Sequence, residues 1–468
     1  NSVCAAASTP RSSPNIKKKA GNRLCLWSFP DQALVLSLSK DSIVALSDNY
    51  FLGIDLGTSG VRGSVIDNEG IERAHAKIAF PHNQQAEDWH RGTFDIIRRL
   101  CSQVEAARIR AIAVDGTSST VMLCSDDGTP RTPALMYNDL RCSFEAETIK
   151  SHAPEDSAAQ GAASSLAKVL HLLKQVSHVR AQRICHQADW VAGLLCGRFD
   201  ISDENNCLKL GYDPVARCWP DWLTILGIDD TMLPSVYPPG SVIAPVLESV
   251  SAETGLPANC KVVAGTTDSI AAFIATGANE VGDAVTSLGS SLVLKLLSDK
   301  PVYSSKLGVY SHRLGDAWLA GGASNSGGGV LLKYFSKKQL DALTPELDPD
   351  TPTGLDYYPL VTSGERFPLN DASLEPRLEP RPDNDVTFLQ GMLEGMADIE
   401  ASGYIALAEL GAPAARKVYT AGGGSVNPAW RKIREQKLGI PVVSAEHTEA
   451  SYGTALLAMR GYEQVISE

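Results

Sequence analysis

The residues with the most chemical promise are two aspartates, each ending an apolar run. Asp55 closes the run from Tyr50 and is followed by Leu56-Gly57-Thr58-Ser59-Gly60; Asp268 closes Val262-Val263-Ala264-Gly265-Thr266-Thr267 and precedes Ser269. A carboxylate directly before a glycine and hydroxyl turn repels phosphate, so its useful role beside a polyphosphate is to hold Mg2+ through water. A turn aspartate satisfying its own backbone is the alternative. Asp268 emerges at a strand's carboxyl edge, where open α/β sheets place ligands, and a carboxylate there can accept the proton of a substrate hydroxyl. Its alternative is a helix N-cap. Ser287-Leu288-Gly289-Ser290-Ser291 repeats the glycine and hydroxyl turn far along the chain. Such tips present bare N–H groups to phosphate oxygens, and their recurrence predicts two similar domains gripping a polyphosphate from opposite sides.

Two further clusters are weaker alone. Gly422-Gly423-Gly424 lies between a strand-like run and a helix that Asn427 can cap, with Pro428 in its first position and Gly439 at its end. The glycines permit close approach to a flat or charged ligand group, and equally make an ordinary tight turn. Asp115-Gly116-Thr117-Ser118-Ser119-Thr120 is a polar cluster at a strand end that either lines a sugar pocket or forms a Ser/Thr turn.

The elements that position these residues follow from apolar periodicity. Tyr50 to Asp55 and Val61 to Asp67 read as a hairpin, Thr93 to Arg108 as a helix, and Ile109 to Asp115 as a strand, giving a β-β-α-β order. Residues 160 to 200 read as mainly helical, Ser269 to Thr276 as a helix, and a second hairpin begins soon after. Glycines at Gly277 to Gly282 mark the domain boundary; Val386 to Leu410 reads as a long helix and Lys417 to Thr420 as a strand. The expected division is 1–47 as an N-terminal extension, 48–278 as the sugar and phosphate domain, and 279–468 as the nucleotide domain.

Bulk composition restricts the classes. A chain of 468 residues exceeds what one core supports. Its net charge of −12 excludes the basic footprint of a nucleic-acid binder, and no run of apolar residues is long enough to span a membrane. The ten cysteines show no C-x-x-C pair and read as reduced thiols. The first 30 residues carry Arg11, Lys17, Lys18, Lys19 and Arg23, several serines and no acid, the composition of a plastid transit peptide or of a disordered basic tail in a cytoplasmic protein. No obligate protein partner is evident.

Six segments taken in order resemble the FGGY family of carbohydrate kinases, within the superfamily that includes actin and the heat-shock ATPases. They are Gly53-Ile54-Asp55-Leu56-Gly57-Thr58-Ser59, Tyr137-Asn138-Asp139-Leu140-Arg141, Gly265-Thr266-Thr267-Asp268-Ser269, Ser287-Leu288-Gly289-Ser290-Ser291, Ser363-Gly364-Glu365-Arg366-Phe367-Pro368 and Ala421-Gly422-Gly423-Gly424. The resemblance implies an α/β fold of two ribonuclease-H-like (actin-like ATPase) domains with ATP and sugar in the cleft between them. It implies that Asp55 orders Mg2+, that Thr58 lies beside the transferred phosphate, and that Asp268 is the general base. Gly289, Ser290 and Ser291 would form the second phosphate loop, and Gly423, Gly424 and Asn427 would border adenine and ribose. Ser59, Ser118, Ser119 and Asp268 would contact the sugar. Ser118-Ser119 replaces the Met-His pair of xylulokinases in the family, and only Glu87-Asp88-Trp89-His90 lies near the acidic motif that many members carry. Together with Gly265-Thr266-Thr267-Asp268-Ser269, Asp115-Gly116-Thr117-Ser118 looks most like the plant and cyanobacterial group that phosphorylates D-ribulose. A D-xylulose kinase is the same-class alternative, and a chaperone-like ATPase is the alternative from another class.

Overall fold

The computed structural model describes residues 49–81, 84–176 and 183–467, so the expectation for the N-terminal extension lies outside the described residues. Two six-stranded sheets organise the chain. The first contains β1 (Tyr50–Leu56), β2 (Gly60–Asp67), β3 (Glu72–Ala79) and β4 (Ile109–Gly116). Two short ribbons follow, one pairing β5 (Val121–Cys124) with β6 (Arg183–His186) and the other pairing β7 (Ile201–Asp203) with β8 (Ser235–Tyr237). The first sheet is then completed by β9 (Val242–Pro245) and β10 (Lys261–Thr267), in the order β3-β2-β1-β4-β10-β9. The second sheet contains β11 (Asp283–Leu288), β12 (Leu292–Ser298), β13 (Tyr310–Leu314), β14 (Ala317–Ser324), β15 (Lys417–Ala421) and β16 (Val442–Ser444), in the order β13-β14-β12-β11-β15-β16.

Setting aside the edge strands β9 and β13, both sheets repeat one plan: three antiparallel strands, with two more added in parallel beside the first. The repeated hairpins expected from sequence are therefore the opening strands of two like-folded units, in the two-domain arrangement of actin-like sugar kinases. Parallel neighbours need covered faces, which is why β1, β4 and β11 are almost wholly buried and β15 is buried at three of its five positions.

Alternation along the strands of the second sheet assigns its two faces. Leu292, Leu294 and Leu296 of β12 join the core under the long helix Asp385–Glu409, whereas Leu297, with Leu314 and Leu319, joins a separate cluster. That cluster also contains Phe273 and Ile274 of the helix Asp268–Ala275 and Ala455, Leu457 and Ala458 of the C-terminal helix Ala450–Ser467. The C-terminal helix packs on β1, β4 and β10 of the first sheet. The close crossings require glycine: a Cβ on Gly53 would stand 2.1 Å from the Ser451 carbonyl oxygen, and one on Gly453 would stand 1.9 Å from that of Ala271.

Local sequence reading misplaced some boundaries. The first long helix is Ala86–Cys101, one to two turns earlier than expected, because Gln85 and Asp88 form a reciprocal cap and Trp89 is already buried. The stretch expected to be mainly helical contains Ser165–Leu173, then strand β6, then Gln187–Cys196. The apolar run Ile184-Cys185 is too short for periodicity to separate strand from helix. All the cysteines described are free thiols.

Candidate active site

The first sheet brings its candidate residues to one edge. Asp55 of β1 is paired in register with Asp115 of β4, and Thr266 of β10 is paired with Asp115 on its other side. Asp268 follows as the first residue of the helix Asp268–Ala275; Thr267 holds the cap position, so the carboxylate is not the N-cap. Three carboxyls thus converge at the carboxyl ends of adjacent parallel strands, where β1 and β4 diverge into their loops.

Their environments differ. Asp55 is almost wholly buried, and that burial lifts its carboxyl above the ordinary range, opposed by Arg62, whose Nη1 donates to Oδ2 at 3.0 Å. Arg62 stands directly across the hairpin from Asp55 on β2. Asp115 has no solvent exposure; burial first, then the neighbouring Asp55 charge, pushes its carboxyl well up. Its Oδ2 accepts from Thr454 of the C-terminal helix, while its Oδ1 has no partner. Asp268 is pushed up to about 6, chiefly by burial and next by the Asp55 charge, with Lys295 and Lys209 pulling the other way; its Oδ1 accepts the Ser269 N–H at 2.6 Å.

The first phosphate turn is held from behind. Gly57 N–H donates to the Gly60 carbonyl at 3.0 Å, Phe80 N–H to the Ser59 carbonyl at 3.0 Å, and Gln84 Nε2 to the Thr58 carbonyl at 2.7 Å. Gln84 is itself fixed by Trp89 Nε1 at 2.5 Å. Thr58 and Ser59 remain exposed at the tip. Tying back the carbonyls turns N–H groups and hydroxyls outward, the arrangement that suits an anion.

The turn after β4 is built more tightly. Thr117 donates through N–H and hydroxyl to Gln187 Oε1 at 3.0 and 2.8 Å, and Thr120 Oγ1 accepts the Tyr137 N–H at 3.0 Å. Ser119 adopts the left-handed region with φ 69°, uncommon for a residue other than glycine. Its carbonyl accepts from Lys168 Nζ at 2.9 Å, and the same ammonium reaches the Tyr137 carbonyl at 3.2 Å. Lys168 is fully buried, and burial draws it down to about 8. The Ser119 hydroxyl is buried without a partner, whereas Ser118 is half-buried. A buried hydroxyl left unpartnered costs about 1–3 kcal/mol, a cost that a hydrogen-bonding ligand removes.

In the second sheet the corresponding edge carries Gly289, Ser290 and Ser291 after β11, and Gly422, Gly423 and Gly424 after the neighbouring β15. The Gly289 and Ser290 carbonyls accept the N–H groups of Gly328 and Gly329 at 2.9 and 3.0 Å, so a distant glycine run shapes this loop. Glu365, in the motif Ser363 to Pro368, supports the same region by accepting from Ser324 at 2.6 Å, Asn325 N–H at 2.8 Å and Tyr358 at 3.0 Å. A Cβ on Gly424 would stand 2.6 Å from the Trp430 ring and 2.8 Å from Leu288, whereas a Cβ on Gly423 would meet nothing within 4 Å. Asn427 caps the helix Pro428–Leu438 by accepting the Trp430 N–H at 2.9 Å. These residues fit a nucleotide: an open, side-chain-free wall on one strand and an exposed glycine and hydroxyl turn on the next. An unpartnered carboxyl oxygen beside Asp55 equally fits a hydrated divalent cation.

Family models match both halves of the chain. The N-terminal domain of the FGGY family of carbohydrate kinases matches residues 50–275, and the family's C-terminal domain matches residues 284–462. The chain belongs to the FGGY family of carbohydrate kinases. This kinase is 24% identical over 446 residues to the xylulose kinase of Bacillus subtilis, covering 88% of each chain, and 22% identical over 442 residues to that of Staphylococcus xylosus, covering 88% of this chain and 91% of the relative. It shares its fold with the crystal structure of xylulose kinase from Rhodospirillum rubrum at a TM-score of 0.76, with 22% identity over 88% of this chain and 90% of that one. The protein is a sugar kinase, and phosphoryl transfer by this family implies ATP as donor.

Sequence reading missed several of the kinase's supporting residues. Arg62, Gln84, Lys168 and Lys295 each sit in unremarkable sequence and gain meaning only from their partners. Asp115 was visible as part of a polar cluster, but not as a buried carboxyl between two others. Cys142, Glu145 and His171 also converge, with Lys174 Nζ already on Glu145 at 2.8 Å, a grouping that no local spacing reveals.

Proposed function

We propose that the protein phosphorylates a ketopentose, D-ribulose to D-ribulose 5-phosphate, with Asp268 as general base. The observation that carries this reading is the buried, unpartnered Ser119 hydroxyl, held in a left-handed turn on the edge that also bears Asp55, Asp115 and Asp268. A serine hydroxyl both donates and accepts, so Ser119, with Ser118 and Ser59, suits a polyol chain and leaves the room that a bulkier side chain would fill.

In this mechanism the sugar's terminal hydroxyl oxygen attacks the γ-phosphorus of ATP, its proton passes to Asp268, and the bond to ADP breaks. A carboxyl pushed up to about 6 is ionised at neutral pH yet basic enough to take that proton. The turn at Thr58 presents N–H and hydroxyl donors to the transferred phosphate, with Arg62 behind it. Gly289, Ser290 and Ser291 steady the remaining phosphates, and Gly423, Gly424 and Asn427 border the nucleoside. Asp55 would hold Mg2+ through water, supplying positive charge against the phosphate oxygens. Most of the rate comes from alignment and electrostatics rather than covalent chemistry.

The second reading, D-xylulose as acceptor, is supported by the names of the relatives reported above. ATP consumption measured against D-ribulose, D-xylulose, other ketopentoses and polyols separates the two. The ribulose reading requires the highest kcat/KM on D-ribulose, and a preference for D-xylulose overturns it.

A further inference from the structure

The second sheet turns a small cationic group toward Asp268. Lys295 lies on the face of β12 that also bears Leu297, the face packed toward the helix Asp268–Ala275. Its neighbour in register on β14 is Gly321, where a Cβ would stand 2.6 Å from the Leu294 carbonyl oxygen and in ordinary contact with Lys295 Cγ at 3.4 Å, so the lysine stem lies against backbone that carries no side chain. The ammonium donates to the Ser269 carbonyl, in the first turn of the helix that Asp268 begins. Asp268 is thereby met from four directions: Asp55 on β1, Asp115 on β4, Lys209 after the helix Glu204–Leu208, and Lys295 from the second sheet. His312, on β13, also faces Lys295 and Lys209, and burial with those two charges keeps it neutral. Tyr310 lies 5.6 Å under the Lys209 ammonium and 5.3 Å from the His312 ring.

Lys295 is drawn down to about 8 by burial, a cost offset by the charge of Asp268. Apart from Lys295 and the terminal Ser298, β12 consists of leucine and valine, so Lys295 is the one cation on the strand. We propose that Lys295 is the positioning residue through which the second domain completes the catalytic base: it fixes the first turn of the Asp268 helix and holds that carboxylate ionised and oriented when the domains are together. The proposal rests on Asp268 being the base.

The test uses the full chain with ATP, Mg2+ and either D-ribulose or D-xylulose, comparing Lys295→Met, Lys295→Arg and Asp268→Asn. Lys295→Met should lower kcat about 10- to 100-fold while leaving ADP affinity within about twofold. Removing a cation raises the proton affinity of a carboxylate, so the acidic limb of kcat/KM should move to higher pH by about half a unit or more. Lys295→Arg should restore most of both effects. An unmoved acidic limb in Lys295→Met overturns the proposal, whether kcat is retained or falls together with thermal stability. Should Lys295→Met fail to fold, Lys295→Gln is read in the same way. If Asp268→Asn keeps near-normal turnover, the base assignment fails and this proposal with it. If Asp268→Asn is inactive while Lys295→Met is normal, only the role of Lys295 fails.

Discussion

Replacing Asp268 by asparagine keeps the shape of the side chain but removes its negative charge and its ability to take a proton. Loss of a positioned general base costs about 10²- to 10⁴-fold in turnover, or about 3–5 kcal/mol of barrier. The pH profile of the unaltered enzyme supplies an independent magnitude. With its carboxyl at about 6, Asp268 is about nine-tenths ionised at pH 7 and about one-tenth at pH 5, so kcat/KM should fall about tenfold between them. Stability moves the opposite way. The folded protein binds this proton between the ordinary aspartate value of 3.8 and about 6, where the unfolded chain has released it, so folding gains as pH falls through that window. Neutral asparagine should therefore leave the melting temperature at pH 7.5 unchanged or raise it, while lowering turnover by about 10²- to 10⁴-fold. Initial rates, ADP titration and thermal melts on the two proteins complete the comparison. An Asp268→Asn enzyme within about tenfold of the parent, with intact ADP binding, refutes the base assignment.

Three further outcomes follow from other parts of the site. Lys168→Met removes the donor shared by the Ser119 and Tyr137 carbonyls and should raise KM for the sugar about tenfold or more, with KM for ATP unchanged; steady-state kinetics in both substrates reads this split. Gly424→Ala forces a methyl group against Trp430 and Leu288 and should weaken ADP binding by about 1–3 kcal/mol in calorimetry, sparing the sugar KM. Arg434 and Glu400 form a buried bidentate pair at 2.6 and 2.7 Å between the helices Pro428–Leu438 and Asp385–Glu409, so Arg434→Leu should cost about 3–5 kcal/mol in chemical denaturation, and pairing it with Glu400→Leu should recover much of that loss.

What the sequence disclosed depended on how local the information was. Asp55, the first turn and Asp268 were legible because strand, glycine and hydroxyl follow one another directly. The repeated plan of the sheets was legible in outline from the second hairpin, but β13 and β14, which complete the antiparallel half of the second sheet, were not. The helix Ala86–Cys101 was displaced because its start is set by the exchange between Gln85 and Asp88, not by apolar spacing. Lys168 and Lys295 were invisible for a different reason: a cation that serves backbone carbonyls declares itself only when those carbonyls, 49 and 26 residues away in sequence, are brought to it.

The C-terminal helix Ala450–Ser467 covers β1, β4 and β10 and delivers Thr454 to Asp115, although the chain reaches it only after the whole second sheet. The first folding unit is therefore not one uninterrupted stretch of polypeptide. A fragment ending before β11 would expose the apolar faces that Ala455, Leu457 and Ala458 cover, and would leave the edge bearing the three carboxyls without its backing. During synthesis the face of the first sheet that carries Phe51, Ala111 and Val263 must wait for residues 450–467 before it is covered. Loss of residues 450–467 would uncover one face of the sheet most distant from them in sequence.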